Sequence, residues 1–208
     1  LHELRGRLPT MKSRMKGLSD LQSNVDSAEA SEVKAALSQL KRDEYKAVVE
    51  ELSLAGNYSH GTHVAGIAMA GNPYARLVNA RLEFGYKLLP DPCPSLELAQ
   101  KNAKNMKAYV DFFRKNGVRV VNMSWGGTAK SVEGELELCN IGKTPDERKT
   151  IARQYFDLQK KSLHEAIGSA PEILFVAAAG NSNADAAFEE AIPADLVLPN
   201  LLTVGAVD

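Results

Sequence analysis

The chain has 208 residues, of which 44% are hydrophobic and 25% are charged, and its formal net charge at pH 7 is −1. This length allows one domain with a hydrophobic core, together with a smaller appendage. The near-neutral charge argues against a dedicated nucleic-acid-binding protein, which needs a strongly basic surface. No apolar run approaches the ~18 residues that span a bilayer, so we expect no membrane span.

Residues 1–56 form a charged segment with a helical pattern and no strand pattern. Asp43 interrupts the pattern, so one helix and two short helices fit it equally well. We expect Gly56 or Asn57 to end the helical segment. The hydrophobic positions with helical spacing are Val33, Leu37, Leu40, Val48, Val49 and Leu52.

From residue 57 onwards, strand patterns alternate with helix patterns. Such alternation predicts an α/β fold with a mostly parallel sheet and helices on both of its faces. In such sheets, ligands bind beyond the carboxyl ends of the strands. The predicted elements are a small-residue helix (61–70), a strand (75–84), a long amphipathic helix ending at Gly117 (95–117), a buried strand (118–125), a loop-rich stretch (126–145), a helix (146–171) and two buried strands (172–180 and 201–207).

The two cysteines, Cys93 and Cys139, both lie in sequence typical of loops. The sequence does not decide whether they form a disulfide or remain two free thiols. No CxxC motif is present, which excludes a zinc ribbon and a thioredoxin-type redox motif.

Three short motifs follow one another along the chain: "HGTHVAG" at 60–66, "NMSWGG" at 122–127 and "AAAGNS" at 177–182. Together they resemble the subtilisin-like serine proteases (subtilases, peptidase family S8). The resemblance covers about residues 57–208 and includes the closing "IPADLVLPNLLTVGAVD". It implies that 57–208 are part of a subtilisin-like catalytic domain, with an incomplete three-layer α/β/α fold.

His60 matches the catalytic base of the family, which accepts the serine proton and later protonates the leaving amine. We expect His60 at the start of a helix that small residues bring close to the sheet. His63 matches a position that packs in the protein interior, so we expect it to be buried and hydrogen-bonded. A metal site at this histidine pair is a weaker interpretation, because no glutamate or third ligand accompanies it.

Asn181 matches the family's oxyanion-hole donor, a side-chain amide that stabilises negative charge on the substrate oxygen. Before it, Ala178, Ala179 and Gly180 resemble the wall of the first specificity pocket. Small side chains there leave room for a large apolar side chain of the substrate.

Ser124, Trp125 and Gly126 match the strand end that pairs with the substrate backbone in this family. Gly126 and Gly127 carry no side chain that would obstruct an extended peptide. Trp125 is the only tryptophan of the chain. We expect it to line a subsite upstream of the scissile bond, and a core aromatic is the alternative.

Two parts of the family pattern are missing. In the family, the triad aspartate lies at the end of a strand with the sequence Asp-Ser/Thr-Gly. The candidate in this chain is Asp26, but its sequence has no strand pattern before it and no glycine after it. No serine matches the family's Gly-Thr-Ser-Met-Ala nucleophile motif. We therefore expect a truncated piece of a protease catalytic domain, inactive by itself, with 1–56 as an insertion between the aspartate strand and the histidine helix.

Many subtilases bind calcium in an extended loop after the histidine helix. The corresponding "GNPY" at 71–74 is too short and too poor in carboxylates for such a site, so we expect none there.

The resemblance implies a serine endopeptidase in the full-length protein, with a peptide or protein as substrate and no cofactor. The alternative is a degenerate subtilase that only binds peptides. The habit of the family suggests a secreted or periplasmic protein. An incomplete sheet exposes an edge and an apolar face, so self-association of the fragment is a further expectation.

Overall fold

The structure, a computed structural model, describes residues 2–22, 25–181 and 185–205, with side chains from residue 9 onwards except at residue 22. None of the helices in these ranges is long and apolar enough to cross a membrane. The elements are α1 (His2–Gln22), α2 (Ala28–Ser38), α3 (Arg42–Met69), α4 (Leu96–Lys115), β1 (Val120–Met123), α5 (Ala129–Leu138), α6 (Pro145–Gly168), β2 (Leu174–Ala178) and β3 (Leu201–Val204).

The chain divides into two compact units. The first contains Leu1–Leu77 and Leu82–Leu88, and the second contains Val78–Arg81 and Leu89–Asp208. The helical segment and the helix of the first motif therefore lie in the first unit, whereas the other two motifs lie in the second.

In the first unit, α1 and α2 pack so closely that only glycine fits at residue 17. A Cβ there would lie 2.1 Å from the carbonyl oxygen of Glu29 and 2.7 Å from the side chain of Val33. Ser27 caps α2 by accepting a hydrogen bond from the backbone N–H of Ala30 at 3.0 Å. Lys16 adds an ion pair to Glu29 at 3.0 Å. The described residues of this segment lie mostly in α1, α2 and the first half of α3.

Helix α3 begins at Arg42, so the prediction that a helix starts at His60 is wrong. Gly56 and Asn57 lie inside α3 and do not end it. A glycine in a helix interior costs only about 1 kcal/mol, which a 28-residue helix tolerates. The boundary expected between residues 56 and 57 falls within this helix, and the assignment of 1–56 as an insertion stays a prediction.

Residues 75–84 do not form a strand, which corrects a second prediction. A strand exists only where another strand offers hydrogen bonds. Within the described part of the chain, the sheet pairs β1, β2 and β3 alone. The local sequence of 75–84 was therefore not sufficient to place a strand there.

The second unit contains the parallel sheet that the sequence predicts. Strands β1, β2 and β3 are neighbours in that order, and both pairings are parallel. The register aligns Met123 of β1 with Ala177 of β2, and Ala178 of β2 with Val204 of β3. The predicted fold class, an incomplete α/β fold with a parallel sheet, is confirmed.

One face of this sheet carries the hydrophobic core of the second unit. Phe175 and Ala177 of β2 are buried there against α4 and α6. The alternate side chains face the other way, and Val120 and Leu202 remain 58% and 52% exposed. Period-two alternation of burial is typical of a sheet covered on one face. The core residues are Val110, Phe113, Met123, Phe156, Leu163, Ala166, Ile167, Ala170, Ile173, Phe175, Ala177, Ile192 and Leu196.

Helix α5 lies in the stretch predicted to be loop-rich, so that prediction is wrong. Its start is fixed by a reciprocal cap, in which Thr128 and Ser131 each accept the other's backbone N–H at 3.1 Å. Cys139 ends α5 and forms a disulfide with Cys93. This bond decides the question that the sequence left open, and it joins the loop before α4 to the end of α5.

Candidate active site

Strands β1 and β2 end side by side, and the predicted substrate-binding residues follow them. Since Met123 pairs with Ala177 in a parallel register, Ser124–Gly126 and Ala178–Gly180 emerge at the same edge of the sheet. This is the carboxyl edge, where α/β sheets bind their ligands. The structure thus brings together the two segments for which the sequence predicts substrate binding.

The segment around Ile192 closes one side of this edge. Gly127 and Ile192 form an isolated antiparallel bridge in which each backbone N–H donates to the other's carbonyl oxygen at 3.0 Å. Pro193 is fully buried, and its peptide bond with Ile192 is cis. A Cβ on Gly126 would lie 3.1 Å from the carbonyl oxygen of Ile192, which is tighter than an ordinary contact.

The sequence reasoning did not identify the 190–196 segment as part of the site. The only signal was "AIPADL", which was grouped with the closing part of the family resemblance. The bridge to Gly127 joins residues far apart in sequence, and no local pattern encodes such a pairing.

Trp125 is half-buried and packs against the hydrophobic core of the second unit. Next to it, the Ser124 hydroxyl oxygen accepts a hydrogen bond from the side-chain amide of Asn122 at 2.8 Å. Because Trp125 is neither fully buried nor fully exposed, its burial agrees with both interpretations of this residue.

Asn181 is exposed, and its side chain makes no hydrogen bond to any described residue. It follows Gly180, whose φ of 109° lies in a region that L side chains rarely adopt. Just before, the Ala179 N–H donates to the carbonyl oxygen of Val204 at 2.9 Å and so fixes the end of β2. Ser182, the last residue of the third motif, lies outside the described residues.

His60 and His63 lie in the second half of α3, three residues apart, and both are exposed. The prediction that His63 is buried is wrong, because α3 has no buried residue. A Cβ on Gly61 or Gly66 would meet no described atom within 4 Å, so the small residues do not press this helix against a neighbour. In the ranges that the structure describes, no group of three or more His, Cys, Asp or Glu could hold a metal.

The predicted catalytic residues are divided between the two units. His60 lies in the first unit, and Asn181 lies in the second with the predicted substrate-binding residues. Asp26 is exposed and lies between the helices α1 and α2. That it is not the triad aspartate stays a prediction.

Comparison with known proteins gives one informative match. The model of the subtilase family, Peptidase_S8, matches residues 15–208, which is nearly the whole chain. The match thus begins inside α1 and extends beyond the range of the motif resemblance. No curated protein and no solved structure matches the chain.

Proposed function

The chain belongs to the subtilase family of serine proteases, and from that premise we propose that the full-length protein is a subtilisin-type endopeptidase. It hydrolyses peptide bonds of peptide or protein substrates through an Asp-His-Ser triad. His60 is the general base of that triad, and Asn181 is the oxyanion donor.

The observation that carries this proposal is the free backbone edge at Gly126. Both polar backbone groups of Gly127 are bonded to Ile192. The preceding residue, Gly126, is exposed. No described residue makes a hydrogen bond to the backbone of Gly126. The backbone groups of Gly126 are therefore free to pair with an extended peptide that adds as a strand.

The substrate side chain next to the scissile bond enters between the two strand ends. Ala178, Ala179 and Gly180 line one wall, and none of them carries a side chain larger than a methyl group. Such a wall accommodates a large apolar side chain and offers no charge to bind a basic or acidic one. We therefore expect a preference for substrates with a phenylalanine or leucine at this position.

The exposed positions of His60 and Asn181 suit groups that act on a bound substrate. The His60 imidazole accepts the proton of the attacking serine and returns it to the leaving amine. The Asn181 amide donates a hydrogen bond to the oxyanion. Because no serine or aspartate of the 208 residues matches the family motifs, we expect this stretch alone to bind peptides without cleaving them.

A fluorophosphonate probe, which labels an activated serine, tests the proposal in the full-length protein. We expect wild type to be labelled and His60→Ala to be unlabelled. Asn181→Ala should still fold but lower kcat about 10²–10³-fold, the magnitude known for removal of the oxyanion asparagine in subtilisin. Absence of labelling in folded wild-type protein would rule out the endopeptidase.

The second candidate is a degenerate subtilase that binds peptides and does not cleave them. The observation that favours it is the free Gly126 edge in a chain whose residues match no nucleophile motif. In that case, the full-length protein binds an extended peptide but is not labelled by the fluorophosphonate. Both proposals therefore predict that the full-length protein binds peptides, but only the endopeptidase proposal predicts labelling by the fluorophosphonate.

We also propose that the protein works in an oxidising compartment, as a secreted or periplasmic protein does. The Cys93–Cys139 disulfide supports this location, since such bonds persist mainly outside the reducing cytosol. Thiol alkylation of the protein in its native cells, before lysis, tests it. Two free thiols in the isolated native protein would contradict the proposal.

A further inference from the structure

Two cations on α6 hold the segment that bridges to Gly127. The Arg153 guanidinium forms hydrogen bonds to both carboxylate oxygens of Glu190. Seven residues further along α6, the Lys160 ammonium lies 2.5 Å from a carboxylate oxygen of Asp195. Residues seven apart lie on the same face of a helix, so both cations face the 190–196 segment.

These two ion pairs bracket the bridge at Ile192. Glu190 lies two residues before Ile192, and Asp195 lies three residues after it. Lys160 also lies 3.7 Å from Glu190, which connects the two pairs into one network. A separate hydrogen bond, from the Thr203 hydroxyl to the carbonyl oxygen of Ala194 at 2.8 Å, holds the same segment to β3.

Of the two ion pairs, we expect the loss of Lys160–Asp195 to have the larger effect. The Asp195 side chain is only 5% exposed, and its second oxygen is buried with no hydrogen-bond partner among the described residues. A buried carboxylate needs a compensating charge, and Lys160 supplies it. The Arg153–Glu190 pair is more exposed, but its bidentate geometry fixes the orientation of Glu190.

We propose that Lys160 and Arg153 are positioning residues for the substrate-binding edge. By fixing Asp195 and Glu190, they hold Ile192 against Gly127 and so keep the Gly126 edge free and correctly oriented for a peptide. This inference rests on the proposed peptide-binding function. Neither cation makes a hydrogen bond or ion pair to Asn181, so loss of either ion pair should weaken substrate binding rather than slow the chemical step.

The test compares Lys160→Met with Lys161→Met in the full-length protein. Lys161 is the next residue on α6 and is 75% exposed, and its ion-pair partner among the described residues is Glu165, one turn along the same helix. With a peptide substrate carrying phenylalanine before the scissile bond, Lys160→Met should raise KM roughly tenfold and leave kcat within about twofold. Lys161→Met should leave both constants unchanged, and Lys160→Arg should restore most of the lost affinity.

A purely structural role predicts a different result, namely a lower Tm with unchanged KM in the folded protein. If Lys160→Met does not fold, Lys160→Met/Asp195→Asn removes both charges and leaves no unpaired carboxylate. We expect this double variant to fold and still bind peptide about tenfold more weakly. Wild-type KM in either folded variant, or a loss confined to kcat, would overturn the proposal.

Titration of the 208-residue chain with N-acetyl-Ala-Ala-Ala-Phe-amide, followed by the emission of Trp125, separates this proposal from the proposed function. If full-length wild type is not labelled by fluorophosphonate but the titration still distinguishes Lys160→Met from Lys161→Met, only the endopeptidase proposal fails. If wild type is labelled and both variants bind the peptide equally, only the positioning role fails.

Discussion

Gly127 and Ile192 exchange two backbone hydrogen bonds of 3.0 Å each. This bridge places the carbonyl oxygen of Ile192 directly beside Gly126, where a Cβ would approach it to 3.1 Å. The two adjacent glycines therefore differ in their environment, since a Cβ on Gly127 would meet only the Ser131 hydroxyl at 3.8 Å.

We predict that Gly126→Ala weakens peptide binding about tenfold, because the new methyl group displaces either Ile192 or the strand end that receives the peptide. Gly127→Ala, with an ordinary contact, should bind almost like wild type. Titration with the same phenylalanine peptide, followed by the emission of Trp125, measures both. Equal affinities of the two variants would show that the bridge does not control the peptide edge.

The strands of the second unit could be predicted from the sequence because their signal is local. Continuous apolar runs mark β1, β2 and β3, and their alternation with helices implies parallel pairing. The same reasoning places Ser124 and Ala178 at the carboxyl edge, where the register of β1 and β2 indeed puts them.

The errors arose where structure depends on weak or distant interactions. Helix α5 depends on a cap between Thr128 and Ser131 and has one buried side chain, Leu136, so its periodicity is faint. Gly56 lowers helix stability too little to end α3. The pairing of Ile192 with Gly127 and the ion pairs of Lys160 and Arg153 join distant parts of the chain, which no local pattern can specify.

Asn200 provides a test of the second unit's core. Its side-chain amide is buried and donates to the carbonyl oxygens of Ile167, Ala170 and Ile173, at 2.9–3.2 Å. Asn200→Asp keeps the shape but replaces these donors with a buried carboxylate facing three carbonyl groups. We expect it to lower the free energy of unfolding by about 3 kcal/mol at pH 7.

The loss in Asn200→Asp should shrink below pH 5, since the introduced carboxyl then becomes protonated and can donate one hydrogen bond. Urea unfolding at pH 7 and at a pH below 5 measures this change. Asn200→Leu, which introduces no charge, should be destabilised equally at the two pH values. A pH-independent loss in Asn200→Asp would contradict this account of the amide.

The Cys93–Cys139 disulfide should contribute strongly to stability. It closes a loop with a sequence separation of 46 residues, for which the chain-entropy estimate is about 4 kcal/mol. Cys93→Ser/Cys139→Ser should lose roughly this amount in urea unfolding, and dithiothreitol should affect wild type but not the variant. Identical unfolding curves of wild type and variant would contradict the prediction.

Gly17 tests the packing of the first unit. Because a Cβ there would overlap the backbone of Glu29, Gly17→Ala must separate α1 from α2 and should cost about 2 kcal/mol or more. Gly56→Ala is the matched control, since it lies in the interior of α3 with open space around it. That change should stabilise the helix by up to about 1 kcal/mol. Circular dichroism during thermal unfolding measures whether each variant melts at a lower or a higher temperature than wild type.

The ion pair between Arg114 and Glu172, at 2.7 Å, predicts a pH-dependent contribution to stability. The hydrogen bond from Arg114 lowers the pKa of Glu172 below its ordinary value of 4.5. A carboxyl whose pKa is lowered by folding stabilises the protein above its unfolded pKa, and this stabilisation disappears as the pH falls through the folded pKa.

Wild type should therefore melt at a higher temperature than Arg114→Gln at pH 7, and the two should converge at about pH 2. Both side chains are nearly half exposed, so salt should reduce the difference at pH 7 as well. Glu172→Gln serves as the control, because it removes the titrating group and should give the same difference from wild type. A gap between wild type and Arg114→Gln that persists at pH 2 would mean that Arg114 stabilises the end of α4 independently of Glu172, through packing or through the helix dipole.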